Sequence, residues 1–172
     1  RGACSRAWGR CRLPPATLRV IPSIIKMRKV RVGIVGTPPI SSAYFQGAAR
    51  ASNTEIVAAA DLDVERVHAK LAEVRSKLPE WKLPPEALAE VRACTVDELL
   101  AAPDVDLVLN LTVPKAHAAL AQRAIAAGKH VYMEKPLGVN RAEGRTLIAA
   151  AKRANLRVGC APDTCLGGGL QT

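Results

Sequence analysis

The chain of 172 residues is long enough for one domain of ordinary size, which buries roughly two thirds of the surface of its unfolded chain. Apolar residues make up 49% of it and aromatic residues only 3%, which disfavours an aromatic-rich β-sandwich and favours an α/β core of Ala, Val, Leu and Ile. The net charge of +10 does not indicate a nucleic-acid surface, because most of it lies in residues 1–29, which hold eight basic residues and no acid. The rest of the chain has 17 basic and 15 acidic residues, so its net charge is only +2.

Residues 1–28 form a basic extension that we predict to lie outside the folded domain. The segment lacks the continuous apolar region that a secretory signal needs, and it has no helix or strand period. Two origins remain open: sequence upstream of a natural start at Met27, or an Arg-rich organellar transit peptide without acids. Residues 29–172 are predicted to form the domain.

Strand-like and helix-like segments alternate along the rest of the chain. Capping patterns begin three of the helices: Ser41 for the first, Thr95 with Glu98, and Asn140 with Glu143. Apolar strands joined by single helices need right-handed crossovers, which give a parallel sheet covered on both faces. The predicted fold is therefore a doubly wound α/β domain. Its strands are predicted at 29–36, 54–61, 104–111, 129–134 and 156–161, and its helices at 41–52, 63–78, 95–102, 114–128 and 141–155.

Polar residues follow several of the predicted strands, at the point where each strand ends. Open parallel sheets bind their ligands beyond the carboxyl ends of the strands, so we expect these residues to meet at one edge. They are Thr37, Asp61, Asn110, Thr112, Glu134, Lys135 and Asp163. The functional site is predicted at this edge.

The turn after the first strand has part of a nucleotide-binding pattern. Gly36 ends the strand, and the free N–H groups at the start of the next helix would suit a pyrophosphate. A dinucleotide fingerprint has its second glycine where this chain has Pro38, and its third where it has Ser41. Proline brings a ring and lacks an N–H, so at least one phosphate contact is lost or replaced. The turn alone is equally compatible with a plain strand-to-helix connection.

Asp61 ends the second predicted strand, 25 residues after Gly36. This is close to the spacing at which an acid accepts hydrogen bonds from the adenosine ribose of a dinucleotide. A carboxylate there repels a 2′-phosphate, and Leu62 rather than an arginine follows it, so NAD is favoured over NADP. The alternative is structural, with Asp61 capping the helix that begins near Asp63.

Glu134 and Lys135 come directly after the fourth predicted strand and before Pro136, which restricts the local backbone. An ammonium at Lys135 is suited to bind and polarise a substrate hydroxyl during hydride removal. The alternative is an exposed ion pair in a turn. A short-chain dehydrogenase is rejected, because it needs Tyr and Lys four residues apart and Tyr132 is only three residues from Lys135.

The remaining histidines and the cysteines indicate no further chemistry. His117 lies one turn into a helix, where it either reaches the site or caps the loop, and His68 and His130 receive no role. The five cysteines have no C-x-x-C spacing, so neither a metal site nor a disulfide framework is predicted, and a reduced, cytoplasmic setting is the default. No run approaches the roughly 20 apolar residues that a membrane-spanning helix needs.

Taken together, the motifs from residue 29 to residue 172 resemble the amino-terminal half of the glucose-fructose oxidoreductase, inositol dehydrogenase and MocA family (Gfo/Idh/MocA). The resemblance rests on the glycine turn, "AAADLD", "VDELLAAPDVDLVLNLTVPKAHAALAQRAIAAGKHVYMEKPLG" and "GCAPDTCLGGGLQT". It implies a Rossmann-type NAD(P)-binding domain of an oxidoreductase that moves hydride between a nicotinamide cofactor and a hydroxyl carbon. The implied substrate is a sugar, polyol, cyclitol or related small molecule, and neither nucleic acid nor membrane is an implied partner.

The resemblance also implies roles for individual residues. Gly36, Thr37 and Ile40 would line the pyrophosphate turn, and Asp61 would hold the ribose. The residues that would flank the cofactor are Leu111, Thr112, Pro114 and His117, with Glu134 near the nicotinamide ribose. Lys135 would be the catalytic lysine and would also contact the cofactor, and Asp163 would contact substrate or nicotinamide.

Two departures from the family pattern affect what we expect of this chain. Pro38 and Pro39 occupy the turn where relatives usually have glycine followed by a small or polar residue, so we expect a bound cofactor to make fewer backbone contacts there. The chain stops at Thr172, where relatives continue into a second α/β domain with most of the substrate pocket and usually the oligomer interface, so it looks like a fragment. We expect it to bind cofactor without turnover, since positioning of the substrate supplies much of the rate. The alternative is a non-catalytic nucleotide-binding or sensing module.

Overall fold

The computed structural model describes residues 28–161, which build a six-stranded parallel sheet between two layers of helices. The strands are β1 (Val30–Val35), β2 (Thr54–Asp61), β3 (Arg92–Thr95), β4 (Leu107–Asn110), β5 (His130–Met133) and β6 (Val158–Cys160). The helices are α1 (Ser41–Arg50), α2 (Val64–Ser76), α3 (Val96–Ala101), α4 (Pro114–Ala126) and α5 (Arg141–Arg153), with a 3₁₀ turn at Pro85–Leu88. The predicted doubly wound α/β fold is confirmed.

The order of the strands is β3-β2-β1-β4-β5-β6, so the winding reverses between β1 and β4. Val32 of β1 lies opposite Ile56 of β2 on one side and Leu107 of β4 on the other. All five pairings are parallel. The carboxyl ends of all six strands therefore meet at one edge, and the reversal point opens a crevice there.

The two faces of the sheet are buried under different helices. Side chains alternate along β1, so Ile34 packs with Phe45 of α1 and Leu71 of α2, whereas Val35 belongs to the opposite face. That opposite face is covered by α3, α4 and α5, whose buried side chains include Leu99, Ala121 and Leu147. Both layers are built mainly from aliphatic side chains, as the composition predicts.

One strand was not predicted. β3 (Arg92–Thr95) has only four residues, lies at the edge of the sheet, and contains no fully buried side chain. Such a short edge strand has neither the apolar run nor the alternation that marks a strand in a sequence. The segment 79–86, predicted as a loop, runs into the 3₁₀ turn that precedes this strand.

The helix caps agree with the sequence at two of three positions. Thr95 and Glu98 form a reciprocal capping box, and Asn140 Oδ1 accepts from the Glu143 N–H at 2.9 Å. The prediction that Ser41 caps α1 is wrong, because Ile40 occupies the N-cap position. The Ser41 hydroxyl instead donates to the Pro38 carbonyl at 2.6 Å, and its side chain is fully buried.

Some predictions fall on residues that the structure does not describe. These are residues 1–27 of the basic extension and residues 162–172, which include Asp163. Within residues 28–161, none of the helices is both long enough and apolar enough to cross a membrane.

At the amino-terminal edge of the sheet, Asp106 ties the start of β1 to the segment before β4. Its carboxylate accepts hydrogen bonds from the Arg31 backbone N–H at 2.9 Å and from the Arg31 guanidinium at 3.2 Å. Arg28, which is mostly exposed, adds a contact at 3.0 Å. The hydrogen bonds from Arg31 outweigh the effect of burial and hold the pKa of Asp106 well below its usual range.

We expect Asp106→Asn to lower the free energy of unfolding by about 1–3 kcal/mol, because the charged acceptor of several hydrogen bonds is lost. The depressed pKa of Asp106 means that its stabilisation is present above the unfolded value near pH 4 and is lost as the pH falls below it. Urea unfolding across acid and neutral pH measures both effects. The control is Glu80→Gln, at an exposed loop position. Equal stability of the Asp106 variant and the unaltered chain at neutral pH would contradict this account.

Candidate functional site

Two cavities open at the carboxyl edge of the sheet, and both are bordered by the segment that joins β1 to α1. The larger has a volume of about 560 Å³ and is lined by the ends of β1, β2 and β4 together with α3 and α4. It contains five of the predicted residues: Gly36, Thr37, Asp61, Leu111 and Thr112. The smaller, of about 330 Å³, contains three more: Ile40, Glu134 and Lys135. The structure therefore brings eight of the predicted residues to one edge.

Gly36 makes the turn after β1 possible. Its φ of +98° lies in the left-handed region that favours glycine, and its N–H donates to the Ala60 carbonyl at 2.8 Å. A Cβ at this position would lie 2.9 Å from both the carbonyl carbon and the oxygen of Leu111. The turn thus crosses the backbone after β4 at a distance that only glycine allows, at the reversal point of the sheet.

Asp61, the last residue of β2, joins this turn to its neighbouring strand. One carboxylate oxygen accepts from the Thr37 hydroxyl at 2.6 Å and from the Thr37 N–H at 2.9 Å. The other accepts from the Leu62 N–H at 2.7 Å and lies 3.7 Å from the Arg66 guanidinium. Asp63, not Asp61, caps α2, since Asp63 Oδ1 accepts from the Glu65 N–H at 3.0 Å.

The charge of Asp61 is stabilised by these contacts. Burial alone would raise the pKa of its carboxyl group, but the hydrogen bonds from Thr37 and Leu62 and the charge of Arg66 outweigh burial and lower the pKa. A carboxylate with two oxygens has about four acceptor positions, and three hydrogen bonds occupy three of them. Asp61 can therefore accept one more hydrogen bond from a ligand in the larger cavity.

The turn offers few backbone N–H donors to a ligand. The N–H groups of Gly36 and Thr37 are used inside the fold, and that of Ser41 donates to the Pro38 carbonyl at 2.9 Å. Proline at positions 38 and 39 has none. Across this turn, the Ile40 N–H is the donor for which the structure records no bond to any residue in 28–161. A phosphate at the start of α1 would thus meet one backbone donor.

The segment after β4 is held by a buried network. Asn110 Oδ1 accepts from the Thr112 hydroxyl at 2.6 Å, and Asn110 Nδ2 donates to the His117 carbonyl at 3.1 Å. The His117 ring is only 1% exposed, and its nitrogens lie 2.9 Å from the Thr112 carbonyl and 2.7 Å from the Pro136 carbonyl. His117 was expected to flank the cofactor; its ring lies beneath the site and binds the two loops that border it.

Glu134 and Lys135 follow β5 at the smaller cavity. The Glu134 N–H donates to the Asn110 carbonyl at 3.0 Å, which continues the sheet pairing by one residue. Its carboxylate accepts from the Tyr44 hydroxyl at 2.6 Å and from the Lys135 N–H at 3.1 Å. The Lys135 side chain is exposed at the cavity. The predicted alternative of a Glu134–Lys135 ion pair is not among the salt bridges of the described residues.

Sequence reasoning missed several cavity residues on helices. Tyr44 lies four residues after Ile40, and Arg66 lies in the first turn of α2 after Asp61. Helical spacing places both beside predicted residues, but it gives neither of them a partner or a role. Arg123 of α4 forms an ion pair with Asp97 of α3 in the larger cavity. No sequence signal links those two residues, because they lie on different helices.

Three predicted residues are not in the cavity walls described, and one of them is His117, whose buried ring contacts the loops instead. Pro114 is exposed at the first position of α4, and Asp163 lies beyond residue 161. Among the residues that the structure describes, no three His, Cys, Asp or Glu side chains are grouped so as to hold a metal ion.

A reversal-point crevice, a glycine turn crossing it, and an acid at the end of β2 together define a Rossmann-type domain. Residues 30–161 match the family model described as an oxidoreductase family with an NAD-binding Rossmann fold. The chain therefore belongs to the Gfo/Idh/MocA oxidoreductase family, as the resemblance implied.

Individual relatives agree with this assignment. The chain is 31% identical over 129 residues to a 1,5-anhydro-D-fructose reductase of Ensifer adhaerens, covering 75% of this chain and 35% of that protein. It is 34% identical over 120 residues to an inositol 2-dehydrogenase of Gluconacetobacter diazotrophicus, covering 69% and 32%. A biliverdin reductase from Synechocystis sp. PCC 6803, solved with biliverdin and NADP+, has a TM-score of 0.62 at 27% identity, covering 83% and 40%. The chain spans about a third of the length of these curated relatives.

Gly36→Ala is expected to destabilise the domain and to abolish ligand binding in the larger cavity, because the new Cβ meets backbone atoms of Leu111 and the positive φ is strained. Gly47→Ala is the matched control, since Gly47 lies within α1 with open space around its Cβ position. There we expect stabilisation of about 0.5–1 kcal/mol from helix propensity. Thermal unfolding of both variants measures the contrast, and a Gly36 variant as stable as the unaltered chain would contradict the geometry.

Proposed function

We propose that the chain is the cofactor-binding domain of an enzyme that transfers hydride between NAD and a hydroxyl carbon of a sugar, cyclitol or related compound. The observation that carries the proposal is the placement of Asp61 and Lys135 on one sheet edge, with the two cavities between them. Three interstrand steps separate β2 from β5, or about 14 Å. An extended dinucleotide suits this span, with its adenosine at β2 and its nicotinamide at β5.

The larger cavity has groups that fit the adenosine half. Asp61 keeps a free acceptor position for a ribose hydroxyl, and Gly36 lets the turn lie close to the strand ends. The Ile40 N–H is the backbone donor left for the pyrophosphate. These residues support binding, with fewer phosphate contacts than a full glycine fingerprint provides.

The smaller cavity has groups that fit the reacting half. A bound nicotinamide cofactor supplies the hydride acceptor or donor. In oxidation of the substrate, the Lys135 amine accepts the hydroxyl proton while the carbon gives up hydride; in reduction, the Lys135 ammonium returns the proton. The exposed position of Lys135 beside Glu134 supports this assignment, because a substrate that is held by a second domain can reach the Lys135 amine.

NAD rather than NADP is proposed as the cofactor. The lowered pKa of Asp61 keeps its carboxylate charged, and that charge repels a 2′-phosphate. The biliverdin reductase solved with NADP+ shows that a protein of similar fold binds the phosphorylated cofactor. Arg66, 3.7 Å from Asp61, is a cation at the larger cavity that would favour NADP if the carboxylate were neutralised.

The proposed substrate class follows from relatives named for inositol and for 1,5-anhydro-D-fructose. Because the chain spans about a third of those proteins, turnover is proposed only for a protein that also carries a substrate domain. We propose that such a protein forms a homo-oligomer through that second domain. A cytoplasmic setting is part of the proposal, and the free thiols of Cys94 and Cys160 fit it.

A non-catalytic nucleotide-binding module is the second candidate. The loss of N–H donors at Pro38 and Pro39 favours it, since weak phosphate binding is compatible with loss of catalysis. Glu134 and Lys135 at the smaller cavity favour the enzyme.

Titration with NADH and NADPH tests cofactor binding. We expect the chain to bind NADH more tightly, and Asp61→Asn to shift the NADPH-to-NADH affinity ratio about tenfold toward NADPH, or about 1.4 kcal/mol, because the repelling charge is removed. Asp63→Asn is the control, since Asn caps α2 as well as Asp and the residue lies outside both cavities. Failure to bind either dinucleotide below millimolar concentration would contradict the proposed function.

Lys135→Met in the full-length protein tests the reaction. Loss of proton transfer should lower kcat by about 10²–10⁴ with NADH affinity retained, measured by NADH absorbance with a panel of cyclitols and sugars. Lys152→Met, at an exposed position in the last turn of α5, is the control for loss of one positive charge. Unchanged kcat in the Lys135 variant would remove Lys135 from the mechanism.

A further inference from the structure

The smaller cavity contains a contact that no sequence motif predicts. The Tyr44 hydroxyl of α1 lies 2.6 Å from Glu134 Oε1, although the two residues are 90 positions apart in the chain. An O–H···O⁻ distance of about 2.5–2.7 Å is that of a charge-assisted hydrogen bond. The contact joins the helix that begins at the phosphate turn to the loop that carries Lys135.

Two donors hold the two oxygens of the Glu134 carboxylate. Tyr44 donates to Oε1, and the Lys135 backbone N–H donates to Oε2 at 3.1 Å. The terminal torsion of a glutamate is broad when the group is unrestrained. One bond to each oxygen restrains that torsion, so the carboxylate keeps one orientation at the cavity.

The backbone of Glu134 is fixed as well. Its N–H donates to the Asn110 carbonyl at 3.0 Å, and its carbonyl accepts from the Cys160 thiol at 3.7 Å. The Cys160 thiol also lies 2.9 Å from the Ala161 carbonyl, so the firm anchors of Glu134 are β4 and, through Tyr44, α1. The next residue is Lys135, so its position depends on the same anchors.

The shape of the cavity explains why the phenol reaches Glu134. Both tyrosines of the chain, Tyr44 and Tyr132, line this cavity with Ile40 and Lys135. Tyr44 is half-buried, so its ring packs at the wall while its hydroxyl is directed to the carboxylate. A phenylalanine here would keep the wall and lose the bond.

We propose that Tyr44 is a positioning residue for the nicotinamide end of the cofactor, which acts by fixing the Glu134 carboxylate beside Lys135. This inference rests on the proposed function. Without the Tyr44 hydrogen bond, the Glu134 carboxylate would lose its orientation toward the ribose hydroxyls that it is proposed to bind. Loss of this bond should therefore weaken binding of the nicotinamide half of the cofactor and leave binding of the adenosine half unchanged.

The test compares NADH with ADP, which has the adenosine and both phosphates of NADH but lacks its ribose and nicotinamide at the reacting end. Tyr44→Phe, Glu134→Gln and the double variant are titrated with both ligands, and their unfolding is measured in urea. We expect Tyr44→Phe to weaken NADH binding about tenfold with ADP affinity unchanged, and the double variant to be no weaker than Glu134→Gln, because both single changes break one interaction.

Each outcome bears on the inference separately from the proposed function. Absence of NADH binding by the unaltered chain overturns the proposed function and this inference with it. Normal NADH binding by Tyr44→Phe overturns this inference alone. Equal weakening of NADH and ADP, or additive losses in the double variant, would show that Tyr44 acts through general stability and would also overturn it.

Discussion

The close passage of the Gly36 turn over the backbone of Leu111 is the contact on which the site depends. It brings the segments after β1 and β4 to van der Waals distance at the point where the winding of the sheet reverses. Asp61 then reaches Thr37 from β2, and the loop after β4 is tied through His117 to Pro136. Four separate chain segments thus form one continuous edge, because hydrogen bonds link each segment to its neighbour.

Most of the fold could be predicted from the sequence because its elements are periodic and well capped. The five strands other than β3 lie in apolar runs of the sequence, and the box at Thr95 and Glu98 marks a helix start independently of packing. β3 could not be predicted, since Arg92–Thr95 has neither an apolar run nor an alternating pattern in the sequence. Ser41 could not be assigned correctly either: the prolines before it begin the helical turn, and its hydroxyl serves the Pro38 carbonyl.

The site was predictable where chemistry follows a strand and was not where it comes from a helix. Asp61 and Lys135 could be placed because strand ends in a parallel sheet share an edge. The role of His117 depended on where its ring points: burial and two backbone carbonyls put it under the loops. Tyr44 was missed because its partner is 90 residues away, and neither residue alone carries a signal for the pair.

The proline pair also changes how the start of α1 is held before any ligand arrives. The Ser41, Ser42 and Ala43 N–H groups donate back to Pro38, Pro39 and Ile40, so the prolines already form a helical turn. Each proline lowers the conformational entropy of the unfolded chain, which favours the folded state by about 0.4–1 kcal/mol where the ring fits. The turn between β1 and α1 is therefore rigid but has few free N–H donors. It loses little conformational entropy when a ligand binds, and it forms few hydrogen bonds with that ligand.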